Sequence, residues 1–168
     1  MAVLATSWGL EDCKNPLDTL EALIQEEEWT TSRQSEHELL IACPGHWTTY
    51  QIHCLWLHDM QALHLSCGLE MSAPQGSEKA MAKLLGAINS KIWVGHFESA
   101  TSDNAILFRH SLLLRGAGGA TSEQIEDLID IAIGECDRFF PAFQFVIWGG
   151  KTPEEALAAS LLDTKGQA

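Results

Sequence analysis

The segments YQIHCLWL (residues 50–57), HDMQ (58–61) and ALHLSCGLEM (62–71) decide the architecture. Both long segments carry apolar side chains at a period of two, aromatic and β-branched ones in the first and leucines in the second, the spacing of a strand. The four polar or flexible residues between them suit a hairpin loop, so the two strands pair antiparallel. With an even-numbered loop, even residues of the first strand share a face with odd residues of the second. Tyr50, Ile52, Cys54 and Trp56 therefore join Leu63, Leu65, Cys67 and Leu69 on an apolar face.

Working outward, Glu38–Cys43 is a further short apolar run, stopped by the turn signal Pro44-Gly45. Downstream, Val94–Ala100 and Ala105–Arg115 make a second hairpin around Asp103-Asn104. Parity places Trp93 and Phe97 with Ile106, Phe108, His110, Leu112 and Leu114 on its apolar side. Helices are expected around the strands. Asn15-Pro16 reads as an N-cap with proline in the first helical position, followed by Leu17, Leu20, Leu23 and Ile24. That helix is expected to end near Trp29, after the solvated run Glu26–Glu28.

Ser77 is the expected cap of a second helix, with Ala80, Met81, Leu84, Leu85, Ile88 and Ile92 as its stripe. Thr121 with Gln124 forms a capping box for a third helix, the most periodic segment of the chain. Its apolar side runs from Ile125 through Phe140, and Pro141 is expected to kink or interrupt it. Thr152-Pro153-Glu154-Glu155 opens a short last helix, expected to stop before Asp163. The expected order is α-β-β-β-α-β-β-α-α. It describes an α+β domain with a five-stranded antiparallel sheet and helices on one face. Residues 1–14 are expected to be a loose arm, 15–163 a single domain and 164–168 a tail.

The face turned away from the helices is the informative one. It carries Gln51, His53, Leu55, Leu57, His64, Ser66 and Glu70 on the first hairpin. On the second it carries Val94, His96, Glu98, Leu107, Arg109, Ser111, Leu113 and Arg115. A solvated sheet face normally alternates cleanly to polar residues. The leucines here point to a contact surface, and Leu55, Leu57, Leu107, Leu113, His53 and His64 are its candidate partner-binding residues. Glu98 and Arg109 can pair across the second hairpin at its rim.

Catalytic motifs do not emerge. There is no Gly-x-Ser-x-Gly elbow and no His-Glu-x-x-His, and the glycines of 116–119 lack the lysine of a phosphate loop. No catalytic residue, metal site or cofactor is assigned. The seven histidines suggest one alternative, a small-ligand or metal-binding regulator using His53, His64 and His96. Against it, the cysteines of the same strands point to the other face. His110, beside Phe108 and Leu112, is expected to be a hydrogen-bonded core histidine. The five cysteines form no Cys-x-x-Cys pair and are read as reduced thiols of a cytosolic protein, with Cys54 and Cys67 buried and unbridged. A formal net charge of −13 repels phosphate backbones and anionic lipid, so nucleic acid and membrane are poor partners. No apolar run approaches the roughly 18 residues of a membrane span.

The stretch ECDRFFPAFQFVIWGGK (135–151) resembles the signature of the bacterial YbjN-domain family. So do WVGHF (93–97), FRH (108–110) with LLLR (112–115), and the tail PEEA (153–156). The likeness runs from about Asn15 to the C-terminus and is close to the alphaproteobacterial branch. It implies a fold like that of type III secretion chaperones, a twisted antiparallel sheet backed by helices and often dimeric. The family is described as sensory transduction regulators and brings no catalytic residues. The resulting expectation is a non-enzymatic, cytoplasmic protein-binding module, chaperone-like or regulatory. It would recognise a client protein segment through the apolar sheet face and form a homodimer.

Overall fold

A computed structural model describes residues 13–25, 27 and 29–163. The expectations for residues 1–12, Glu26, Glu28 and 164–168 lie outside the described residues. In chain order the elements are α1 (Pro16–Ile24), β1 (Thr30–Ser35), β2 (Glu38–Pro44), β3 (Thr49–Leu57) and β4 (Ala62–Ser72). Then come α2 (Glu78–Asn89), β5 (His96–Ser99), β6 (Ala105–Leu113), α3 (Ser122–Ile147) and α4 (Pro153–Asp163). The strands form one antiparallel sheet in the order β1-β2-β3-β4-β6-β5. Among the described residues the sheet therefore has six strands, one more than the sequence pattern predicts.

The extra strand is β1, TTSRQS, which has no apolar alternation to betray it. It is an edge strand, exposed along nearly its whole length, and its ladder to β2 supplies its order. Arg33 is its one half-buried side chain, held by Asp18 and Glu21 of α1 at 3.3 and 2.6 Å. Pairing across space, and not hydrophobic period, makes this segment a strand.

The apolar face forms as its alternation dictates. Tyr50, Ile52, Cys54, Trp56, Leu63, Leu65, Cys67 and Leu69 are all buried, as are Ile106, Phe108 and Leu114. Each large side chain of this set contributes roughly 2 kcal/mol by leaving water. Helices α1, α2 and α3 all contact strands, and their buried residues join the same core. Phe97 packs edge-on against Phe108 and Phe139 and tilted against Phe143, which locks α3 onto β5 and β6. Cys54 and Cys67 are buried and free, and Cys136 donates to Cys67 Sγ at 3.6 Å. Burial pushes the Cys43 and Cys54 thiols up to about 12.

Local expectations at the second hairpin need correction. Trp93 is 88% exposed and not in the core. Strand β5 begins only at His96, because Gly95 sits at φ +73° and breaks the alternation that parity assumes. A Cβ on Gly95 would also overlap the Phe108 ring. His110 and Leu112 are half-buried, not deep core. Burial, with the charge of His96, lowers the proton affinity of His110.

The helix ends follow their caps with one exception. Asn15 Oδ1 accepts from Leu17 N, and Thr121 and Gln124 complete their reciprocal box. Ser77, however, makes no side-chain cap. Its hydroxyl donates to Pro74 O at 2.6 Å, while the Glu78 carboxylate accepts from Gly76 N. Helix α1 stops at Ile24, short of Trp29, α2 stops at Asn89, so Ile92 lies past its end, and α4 reaches Asp163.

Pro141 does not interrupt α3, which runs unbroken from Ser122 to Ile147. The reason is tertiary. Proline has no N–H, so the carbonyl one turn earlier, that of Asp137, loses its helical donor. The Trp47 indole N–H, from the β2–β3 turn, donates to that carbonyl at 2.9 Å. Trp47 also stacks on Phe140, with ring planes 2° apart. The Asp137 carboxylate accepts from His46 N and from the Tyr50 hydroxyl at 2.9 and 2.7 Å. A Cβ on Gly45 would overlap the Tyr50 ring, so the turn needs glycine there to close on α3.

Candidate contact surface on the open sheet face

Strand pairing sets the open face in rows. Leu40, His53, Ser66, Arg109 and His96 lie across β2 to β5 in one row. Glu38, Leu55, His64 and Ser111 form the next, and Leu57, Ala62 and Leu113 the row nearest the β3–β4 turn. Ala42, Gln51, Gly68, Leu107 and Glu98 lie on the far side. The face is thus a polar band with an apolar row, Leu57, Ala62 and Leu113, at the β3–β4 end and a mixed row at the other.

The polar band is a connected network. Arg109 donates from Nε and Nη2 to His64 Nε2 at 3.2 and 2.9 Å, and from Nη1 to Glu98 Oε1 at 2.8 Å. His64 Nδ1 lies 2.8 Å from Ser111 Oγ. A guanidinium cannot accept, so Nε2 carries the lone pair and the proton sits on Nδ1, donating to Ser111. His64 is therefore a neutral imidazole. Burial first, and the Arg109 charge second, lower its proton affinity. Beside this network His53 Nε2 meets Glu38 Oε1 at 2.7 Å, and His96 Nε2 lies 3.8 Å from Glu98. The Glu98–Arg109 pair forms as the sequence suggests.

The six predicted contact residues do not form one patch. Leu57 and Leu113 flank Ala62 and are 40% and 74% exposed. Leu55 lies next to them along β3 and is half-buried. Leu107 is half-buried at the other end, over Gly68, six residues along β6 from Leu113, or about 20 Å at strand rise. His53 and His64 belong to the polar band. Several exposed apolar residues escaped the sequence reading. Leu40 follows from the alternation of Glu38, Leu40 and Ala42 and was legible in principle. Met60, Trp47 and Trp148 sit in turns or at a helix end, where no period marks them.

The apolar end opens into a groove of about 650 Å³ between the β1–β2 and β3–β4 turns. Leu55, Trp56, Leu57 and Met60 give it apolar walls, and Glu36, His37, His58 and Asp59 line it as well. A short 3₁₀ turn, His58–Met60, followed by Gln61 at φ 46°, projects the Met60 side chain, which is 65% exposed. Among the described residues, no group of three His, Cys, Asp or Glu side chains is placed to hold a metal ion, and no helix is long and apolar enough to cross a membrane.

Comparison with known proteins gives a family and a fold. A family model described as "Putative bacterial sensory transduction regulator" matches residues 16–145. Among solved structures, the crystal structure from E. coli described as "a putative transcription regulator" is similar at a TM-score of 0.51 and 14% identity. The similarity covers 72% of this chain and 85% of the other. At that identity the likeness concerns the fold. No curated protein matches the chain significantly.

Proposed function

The chain belongs to the YbjN family, and from that premise we propose that it is a non-enzymatic regulatory module that recognises a protein segment through its open sheet face. The observation that carries this is the exposed pair Leu57 and Leu113, side by side over Ala62 and continuous with the groove at Met60. Exposed apolar side chains gathered on one end of an otherwise polar face mark association. The six-stranded sheet backed by helices supports a chaperone-like reading of the fold, in the manner of type III secretion chaperones. A homodimer through the same face is part of this reading, as is a cytoplasmic setting for its free thiols and a place in the alphaproteobacterial branch. The net charge of −13 directs the choice of partner towards protein and away from nucleic acid or membrane.

The alternative, a small-ligand or metal-binding regulator using the sheet histidines, has less support. Both ring nitrogens of His64 are engaged, by Ser111 and Arg109, and His53 is engaged by Glu38.

The test is Leu113→Asp, alone and with Leu57→Asp. Sedimentation velocity reads the homodimer, and crosslinking followed by mass spectrometry reads client contact on this face. The expected result is an unchanged fold with at least a tenfold loss of association, equivalent to about 1.4 kcal/mol. Unchanged association together with unchanged crosslinks would sink the proposal.

A further inference from the structure

We propose that the groove at the β3–β4 end seats a basic amphipathic segment of a partner protein, its apolar side chains on Leu55, Leu57 and Met60 and its lysines or arginines against Glu36 and Asp59. This rests on the reading of the open face as a protein contact surface and names the class of segment it takes.

The shape comes first. The groove's volume, about 650 Å³, is within the usual range for a specific site and accommodates several side chains. Its walls are held in place. Trp56 N donates to His37 O at 2.8 Å, and the Glu36 carbonyl accepts from both Asn15 Nδ2 and Arg33 Nη2 at 2.8 Å. These bonds fix the backbone of the β1–β2 turn and leave the Glu36 side chain exposed. Met60 supplies the opposite lip, and its unbranched thioether adapts to varied apolar partners.

The charge comes second. Four carboxylates around the sheet have a cation or histidine against them: Asp18 and Glu21 have Arg33, Glu38 has His53, and Glu98 has Arg109. Glu36 has no ion pair among the described residues, and Asp59 has only His58 Nδ1 at 3.7 Å. Among the described residues, no lysine or arginine lines the groove. An apolar floor rimmed by Glu36, which has no ion pair among the described residues, and by Asp59, met only by the distant His58 ring, repels acidic segments and complements a helix or strand with apolar residues on one side and cations beside them. The chain's overall charge of −13 steers such a segment inward.

The experiment titrates the full chain with two labelled synthetic peptides of one apolar pattern, one lysine–leucine and the other glutamate–leucine, reading fluorescence anisotropy. The lysine peptide is expected to bind at least about tenfold more tightly. Glu36→Gln with Asp59→Asn should weaken it about three- to tenfold, consistent with rim charges. Glu126→Gln with Asp127→Asn, the same charge change on exposed α3 positions, should not. Leu57→Ser with Met60→Ser should weaken both peptides. Equal binding of the two peptides, or indifference to the Glu36 and Asp59 changes, would overturn the basic segment while leaving an apolar contact surface standing. Equal losses from the groove and α3 pairs, or indifference to the Leu57 and Met60 changes, would mean diffuse attraction to an acidic protein and would overturn the groove. Absence of binding by either peptide would overturn the proposal outright, whereas the sheet-face reading fails separately, in the association of Leu113→Asp.

Discussion

The same strands present two faces built by different rules. On the helix side, residues such as Ile52, Leu65 and Phe108 are closed off from water. On the open side, one residue along in each case, His53, Ser66 and Arg109 form a polar band, with Leu57 and Leu113 bare at its end. Alternation guarantees two faces but says nothing about what the second is for. A sheet in contact only with water needs no leucine at its outer turn and no neutral histidine tied between a serine and an arginine. The contrast teaches that the helix side carries the stability, and in the function proposed above the open side carries the choice of partner.

The sharpest way to break this contrast is to attack the helix side. Phe139 is fully buried against Phe97. Phe139→Ala should cost about 3–5 kcal/mol, read by denaturant melts. A melt that matches the parent would show that α3 is not the main wall of the core.

Next in size is the junction of the two rules, where the β2–β3 turn is pinned to α3. Asp137→Ala removes the acceptor of the buried Tyr50 hydroxyl and of His46 N. A loss of about 2–3 kcal/mol is expected. Trp47→Phe keeps the stack on Phe140 but deprives the Asp137 carbonyl of its indole donor, and about 1 kcal/mol should go. If Trp47→Phe proves neutral, Pro141 is tolerated for some other reason.

On the open side the prediction reverses. Leu113→Asp should change stability by no more than about 0.5 kcal/mol, because the side chain is already in water. Its effect should fall on association instead. Loss of folding would mean that the two faces are not distinct.

The smallest effect concerns pH. His64 binds its proton less tightly in the folded chain than at its ordinary value of 6.5. Protonation would also destroy the acceptor that Arg109 uses. Its contribution to stability is therefore complete above that ordinary value and fades as pH falls through it towards the lowered folded value. His110, lowered by burial, acts in the same direction. His64→Gln, which keeps an acceptor, should flatten the decline in melting temperature between about pH 7 and 5. An unchanged slope would show that the band is indifferent to protonation of His64.

Much of this was legible in the chain itself. Alternation in 50–57 and 62–71 gave the helix-side face residue by residue, and parity put Leu57 and Leu113 on the other side. The caps at Asn15 and Thr121 were legible because a cap is a contact between near neighbours in sequence. What the chain did not reveal lies where the deciding partner is distant or the backbone leaves its regular path. TTSRQS becomes strand β1 only because the edge of β2 is there to pair with it. Trp93 turns outward because Gly95 adopts a positive φ that no count of alternating residues anticipates. Helix α3 passes through Pro141 because an indole from ninety residues earlier reaches the orphaned carbonyl. The groove exists because two turns, β1–β2 and β3–β4, end at the same side of the sheet. Period and composition determine which residues must leave water, since that preference belongs to each side chain alone. Which donor meets which acceptor is decided only when folding brings distant segments together, since a hydrogen bond depends on positions in space and not on residue type.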